Sequence, residues 1–217
     1  MKFGTDGVRG VAGTELTEQF AFRFGLAAAR TLAAGRDPVV VIGGDTREST
    51  EALAASLSSG FRSGGVTVVS LGVAPTPMVA FEAQRRGALG AVVSASHNPF
   101  HDNGIKLFAT GGLKLTDAVE AEIEAELERI GPALSAQHPI GSPTSVDRRP
   151  YVDHVLAYLE GRRLDGMRVV LDAANGAGCV VGPEILRAAG ADVVVVSDAP
   201  DGRNINDGCG ATVPSHV

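Results

Sequence analysis

The chain has 217 residues, 44% of them apolar and 20% charged, a balance that supports a buried core and excludes a disordered chain. Nineteen basic residues against 25 acidic leave a net charge of −6 with no basic tract for a phosphate backbone, so no nucleic acid partner is expected. Cys179 and Cys209 are too few for a disulfide framework, Met1 to Gly10 holds no apolar signal core, and Val39 to Ile42 and Val193 to Val196 are too short to span a bilayer, so a cytoplasmic protein with no membrane partner is expected.

After a glycine-rich start, the periodicity predicts a helix over Phe20 to Ala34 and a buried strand over Val39 to Ile42, ending in Gly43, Gly44 and Asp45. A helix from Thr50 to Ser63, a strand from Val66 to Leu71, a proline-opened helix from Pro75 to Arg86 and a strand from Leu89 to Val93 follow. Strands that are apolar throughout and alternate with helices predict an α/β fold, a mixed and mainly parallel sheet covered by helices on both faces. Val119, Ile123, Leu127 and Ile130 mark an amphipathic helix whose other face, with Glu120, Glu122, Glu124, Glu126 and Glu128, is expected to be solvated. From Gly131 to Pro150 the pattern breaks, and four of the 11 prolines fall there, which suggests a domain boundary. We therefore expect a first domain over residues 1–140 and a second over 151–217. The latter holds a helix around Val152 to Leu159, a strand from Val169 to Leu171, a helix from Pro183 to Ala189 and a strand from Val193 to Val196. One such unit is small for burying its own core, so the chain is expected to stop inside this second domain and to self-associate through the apolar surface left uncovered.

Ser94, Ala95, Ser96, His97, Asn98 and Pro99, then Asp102 to Lys106, follow the third strand. Their composition fits a polar turn, but ligands in α/β sheets bind beyond the carboxyl ends of strands, where Ser96 would sit. His97 is not expected to act as a simple base for Ser96, since neighbouring side chains in extended backbone point to opposite sides. The nucleophile elbow of Ser-His-Asp hydrolases is also absent. Phosphoryl transfer depends on positioning and electrostatics and suits Ser96 with Lys106 better. Phe3 to Gly10 reads either as a flexible terminus or as a glycine-rich approach that lets Arg9 pair with phosphate. Ser49 or Thr50 is expected to cap the following helix, with Arg47 the alternative anion contact. Asp172 to Gly178 fails the spacing of a dinucleotide fingerprint, because the glycine after Gly176 and Gly178 is Gly182.

Four of these segments, Phe3 to Gly10, Ser94 to Lys106, Asp172 to Gly178 and Asn204 to Thr212, resemble in order the motifs of the α-D-phosphohexomutases. Ala95 resembles the hexosamine-phosphate branch, other branches more often carrying Thr in the first position of the serine loop or Gly in the second. The resemblance implies a catalytic phosphoserine at Ser96 that moves phosphate between O6 and O1 of a small-molecule hexosamine phosphate, glucosamine 6-phosphate, through a bisphosphate. It implies that Arg9, His97 and Lys106 surround that serine, Lys106 as proton shuttle and His97 second. It also implies magnesium bound by an oxygen of phosphorylated Ser96 and by three aspartates of an Asp-Gly-Asp-Gly-Asp loop. This sequence holds no such loop, so it is expected to correspond to the N-terminal portion of such an enzyme and to be inactive alone. A relative acting on mannose or glucose phosphates and a non-catalytic sugar-phosphate-binding module are the alternatives.

Overall fold

Strands that are apolar at every position need cover on both faces, and in the first sheet helices packed on either side supply it. In the computed structural model, which describes residues 2–4, 7–33, 35, 37–132 and 147–216, the chain begins with β1 (Val8–Val11), α1 (Glu18–Leu32), β2 (Val39–Gly44) and α2 (Thr50–Ser63). It continues through β3 (Thr67–Val73), α3 (Thr76–Arg86), β4 (Leu89–Val93), β5 (Asp102–Ala109), β6 (Leu113–Lys114) and α4 (Asp117–Ile130). After residues 133–146, which include Pro139 and Pro143 and lie outside the described residues, come α5 (Arg149–Ala157), β7 (Arg168–Asp172), α6 (Gly182–Ala188) and β8 (Asp192–Val196).

The first sheet runs β1-β5-β4-β2-β3, with β6 on β5. β2 pairs in parallel with β3 and β4, while β5 is antiparallel to β4, β1 and β6. Alternation along β2 sends Val40 and Ile42 into a core with Phe20, Phe24, Leu57, Phe61 and Ile123 from α1, α2 and α4. Val41 enters a second core on the other face, with Met78 and Val79 of α3 and Tyr151 of α5. Helices α1 and α2 pack through glycines: a Cβ on Gly60 would meet the carbonyl oxygen of Phe22, and one on Gly25 that of Leu57.

The predicted helices over the first 90 residues appear as α1, α2 and α3, each within two residues of expectation at either end. Thr17 caps α1, its hydroxyl accepting from the amide of Phe20 at 3.1 Å, and Gly87 ends α3 in the left-handed region at φ +60. Three strands escape sequence reading, among them the two-residue β6. β1 grows out of the glycine-rich opening, whose Val8 is buried, and β5 starts Asp-Asn-Gly, residues that favour turns. Thr5 and Asp6 of that opening lie outside the described residues. The expectation of a fully solvated acidic face on α4 is also corrected. Glu126 is 9% exposed and bridges Arg30 of α1 and Arg129, and Glu124 accepts the amide of Phe3 at 2.7 Å. The helix packs so close to α1 that part of its charge is used between elements.

The second sheet is the parallel pair β7 and β8. Its register partners Val170 and Val194 are 53% and 38% exposed, so one face is bare. Ile205 and Cys209, in a tail that reads as polar, are nevertheless buried. Among the described residues no helix is long and apolar enough to cross a membrane.

Candidate active site

The chain leaves β4 at its carboxyl end and returns as β5, and the loop between them carries the serine singled out above. The Ser94 amide donates to Gly104 O at 2.9 Å, the Asn98 amide to Ala95 O at 3.2 Å, and the Asp102 amide to Pro99 O at 3.2 Å. The hydroxyl of Ser94 accepts the Ser96 amide at 3.0 Å, and Asn98 Nδ2 donates to Asp102 Oδ2 at 2.9 Å. Ala95 is completely buried and pins the loop, while Ser96 and His97 are exposed. Ser96 has φ +57, a left-handed backbone that costs a non-glycine residue on the order of 1–3 kcal/mol unless its surroundings enforce it.

That backbone corrects the argument against His97. The expectation assumed extended chain, but the left-handed residue turns the loop and brings Ser96 Oγ to 3.5 Å from His97 Nδ1. The two are neighbours at the outer limit of hydrogen bonding. Arg9 and Lys106 stand on β1 and β5, beside the loop and not in it. Arg9 pairs with Gly104 and Lys106 with Val92, so strand alternation places both on the α3 side of the sheet. Lys106 Nζ lies 5.6 Å from the Phe108 ring centroid, within reach of a cation–π contact.

Beneath the loop lies a polar network that sequence reading missed. Arg47 is 3% exposed; its Nε donates to Asp45 Oδ2 at 2.8 Å, its Nη1 to Pro99 O, and its Nη2 to both Ser96 O and Asn98 O at 3.0 Å. Asp45 Oδ1 accepts the Arg47 amide at 3.1 Å and the Thr50 hydroxyl at 2.8 Å. Asn103, with no exposure, donates from Nδ2 to Ser49 Oγ at 2.9 Å and Thr50 Oγ1 at 3.1 Å. A buried ion pair is tolerable only when its remaining donors and acceptors are filled, as they are here. Both sequence readings of this segment are thereby corrected. Ser49 stands at the start of α2 with helical backbone and makes no capping bond, and Arg47 gives four of its five N–H groups to protein oxygens instead of standing open to an anion. The signal available was an Asp and an Arg two residues apart just after a buried strand.

The second sheet reaches the same place. Asn206 Nδ2 donates to Ser96 O at 3.0 Å and Asn98 O at 3.1 Å, the carbonyls that Arg47 also holds. Thr46 Oγ1 donates to Asn175 O at 2.5 Å, and Glu48 accepts Arg203 Nε at 2.7 Å while its amide donates to Gly202 O at 2.9 Å. The Asp172 to Gly178 segment is used inward: Asp172 accepts the amides of Ala174 and Gly210 at 2.8 and 2.6 Å, and Asn175 Oδ1 accepts that of Ala199 at 3.2 Å. Two cavities, of about 400 and 490 Å³, flank the loop, one lined by Arg47, Thr50 and Ser70 and the other by Leu16, Phe100 and His101. Ser96 lines neither and faces the open surface.

Magnesium takes six near-octahedral oxygens. Among the described residues no three His, Cys, Asp or Glu side chains converge, and Ser96 offers one oxygen, so the described residues do not make up a magnesium site.

Compared with known proteins, residues 1–133 match the family profile "Phosphoglucomutase/phosphomannomutase, alpha/beta/alpha domain I". The chain is 50% identical to the phosphoglucosamine mutase of Corynebacterium jeikeium and 49% identical to that of Thermobifida fusca, in each case over 97% of this chain. It spans about half the length of these curated relatives, 49% and 48%. Among solved structures, a phosphoglucomutase/phosphomannomutase family protein from Burkholderia thailandensis superimposes with a TM-score of 0.76 at 27% identity, over 90% of this chain and 43% of that one.

Proposed function

Because the chain belongs to the phosphoglucomutase/phosphomannomutase family, we propose that it carries the phosphoserine half of a phosphoglucosamine mutase, in which Ser96 holds the phosphoryl group exchanged between the 6- and 1-positions of glucosamine phosphate. The observation that carries this reading is Ser96 itself, an exposed hydroxyl on a left-handed residue at the carboxyl end of a buried strand, with its own carbonyl tied to Arg47. The names of the relatives support the amino-sugar substrate over mannose or glucose phosphates.

In the first transfer the Oγ–P bond of phosphorylated Ser96 breaks as the O1 hydroxyl of glucosamine 6-phosphate forms a new O–P bond, giving the 1,6-bisphosphate. In the second the 6-phosphoryl returns to Ser96 Oγ, leaving glucosamine 1-phosphate. Each transfer moves one proton between the sugar hydroxyl and Oγ. We assign the proton shuttle to Lys106, which relieves the attacking hydroxyl, and exchange of the proton with the departing oxygen to His97, whose Nδ1 lies 3.5 Å from Oγ. Arg9 is assigned to the phosphate. Phosphoserine brings about −1.5 to −2 charges at neutral pH, for which the family resemblance implies magnesium.

The test is Ser96→Ala in the full-length gene product, assayed on glucosamine, mannose and glucose 6-phosphates with the cognate bisphosphate. Turnover is expected to be lost on all three, and the wild type to prefer the amino sugar. Undiminished turnover on glucosamine 6-phosphate would sink the reading. Assayed alone, the 217-residue chain is expected to turn over at least about a hundredfold more slowly than a complete mutase, because the charge on the migrating group is not neutralised.

A further inference from the structure

We propose that Asn206 and Arg47 act as a two-sided clamp that holds Ser96 in its left-handed, transfer-ready backbone, and that Asn206 makes the clamp dependent on docking of the second sheet. The proposal rests on the reading of Ser96 as phosphoryl carrier and goes beyond it by naming what orients that carrier.

The count of donors and acceptors closes. The carbonyl oxygens of Ser96 and Asn98 have two lone pairs each, and the terminal NH2 groups of Arg47 and Asn206 have two hydrogens each. Each NH2 group donates once to each carbonyl, at 3.0 Å from Arg47 and at 3.0 and 3.1 Å from Asn206. Only the amide nitrogen of Asn206 can face two carbonyls, so its orientation is decided by this pattern. The two carbonyls flank the Ser96–His97 and Asn98–Pro99 bonds, so fixing both sets the turn that separates them. Ser96 at φ +57 is a strained residue that such surroundings must enforce.

The two donors come from different places. Arg47 is buried in the first sheet's own network and held by Asp45, so its half of the clamp is permanent. Asn206 arrives from beyond β8, on a segment fixed to the second sheet by the hydrogen bond its backbone N–H donates to Ala174 O at 3.0 Å. It too is left-handed, at φ +59, as are Ala174, Asn175 and Ser197 at the carboxyl ends of β7 and β8. The second sheet thus presents one side chain to the loop, and displacement of that sheet removes two of the four side-chain hydrogen bonds to the Ser96 and Asn98 carbonyls.

Two variants test this without disturbing the core. Asn206→Gly removes the donor and accepts φ +59 without steric cost, and Asn206→Asp keeps the shape but aims oxygen at two carbonyls. In the 217-residue chain both should lower the thermal midpoint by only about 2–4 °C, since the cores are untouched. The Ser96 backbone should leave the left-handed region, read from its amide–α coupling and carbon chemical shifts in NMR, with faster amide exchange from Ala95 to Asn98. In the full-length gene product kcat should fall about 10- to 100-fold with KM unchanged, because a misplaced nucleophile loses rate and not affinity. An unmoved Ser96 backbone with unchanged kcat overturns the clamp. A larger fall in midpoint with Ser96 unmoved also overturns it, by assigning Asn206 to sheet docking alone. If Ser96→Ala retains turnover the phosphoserine reading falls instead, and the NMR result still decides the clamp.

Discussion

The two sheets of this protein solve the same problem with different success. The first covers both faces: Val40 and Ile42 on one side and Val41 on the other are each less than 2% exposed. The second leaves Val170 and Val194 bare, and its charge pairs are solvated, Arg168 and Asp192 standing 3.9 Å apart with both side chains 76% exposed. Exposed pairs of that kind contribute about 0–1 kcal/mol. The first sheet is therefore enclosed on both faces, whereas the second keeps one face bare and docks on the first through Tyr151 and Val181, which enter the core around Met78, and through polar contacts of Asn175, Gly202, Arg203 and Asn206. The serine loop lies among those polar contacts, so the candidate site stands where the two sheets meet.

Truncation in the first sheet's core and on the second sheet's bare face gives the largest contrast. Phe24→Ala empties a fully enclosed site between α1 and α4 and is expected to cost about 3–5 kcal/mol, whereas Val170→Ala, on the bare face, should cost less than about 1 kcal/mol; urea unfolding of both variants measures it. Equal losses would mean that the second face is covered in solution. A smaller effect is expected from acid. Burial pushes the Glu82 carboxyl up, but hydrogen bonds from Arg85 and Arg86 outweigh it and hold the group below the usual range. Because its folded value is lowered, its contribution is present above the unfolded value of 4.5 and is lost as pH falls below it. The thermal midpoint of the wild type should then converge on that of Glu82→Gln as the pH is lowered. A difference that grows on acidification would refute this. The smallest effect is on assembly: we propose that the bare valine face drives weak self-association, so replacing Val170 and Val194 by Thr should lower the concentration dependence of sedimentation.

The helices and parallel strands were legible because their signals are local. Thr50–Ser63 repeats apolar residues at helical spacing, and Val39 to Ile42 is too apolar for anything but a buried strand. β5 was not legible. Asp102, Asn103 and Gly104 spell a turn, and they become a strand by pairing with Val11, Gly10 and Arg9 of β1, while Asn103 also reaches the hydroxyls of Ser49 and Thr50 across the fold. Ser96 and its neighbours stood out by position after a strand, but the 3.5 Å approach of His97 depended on a backbone angle that no composition encodes.

By itself the order of residues determined which segments bury and which turn, since hydrophobic period and turn chemistry act between near neighbours. Tertiary structure alone decided that Asp45, Arg47, Asn103 and Asn206, separated by up to 161 positions, converge beneath one loop. Their hydrogen bonds exist only once distant strands have paired, because a donor has no preference for an acceptor until the fold has removed water from between them.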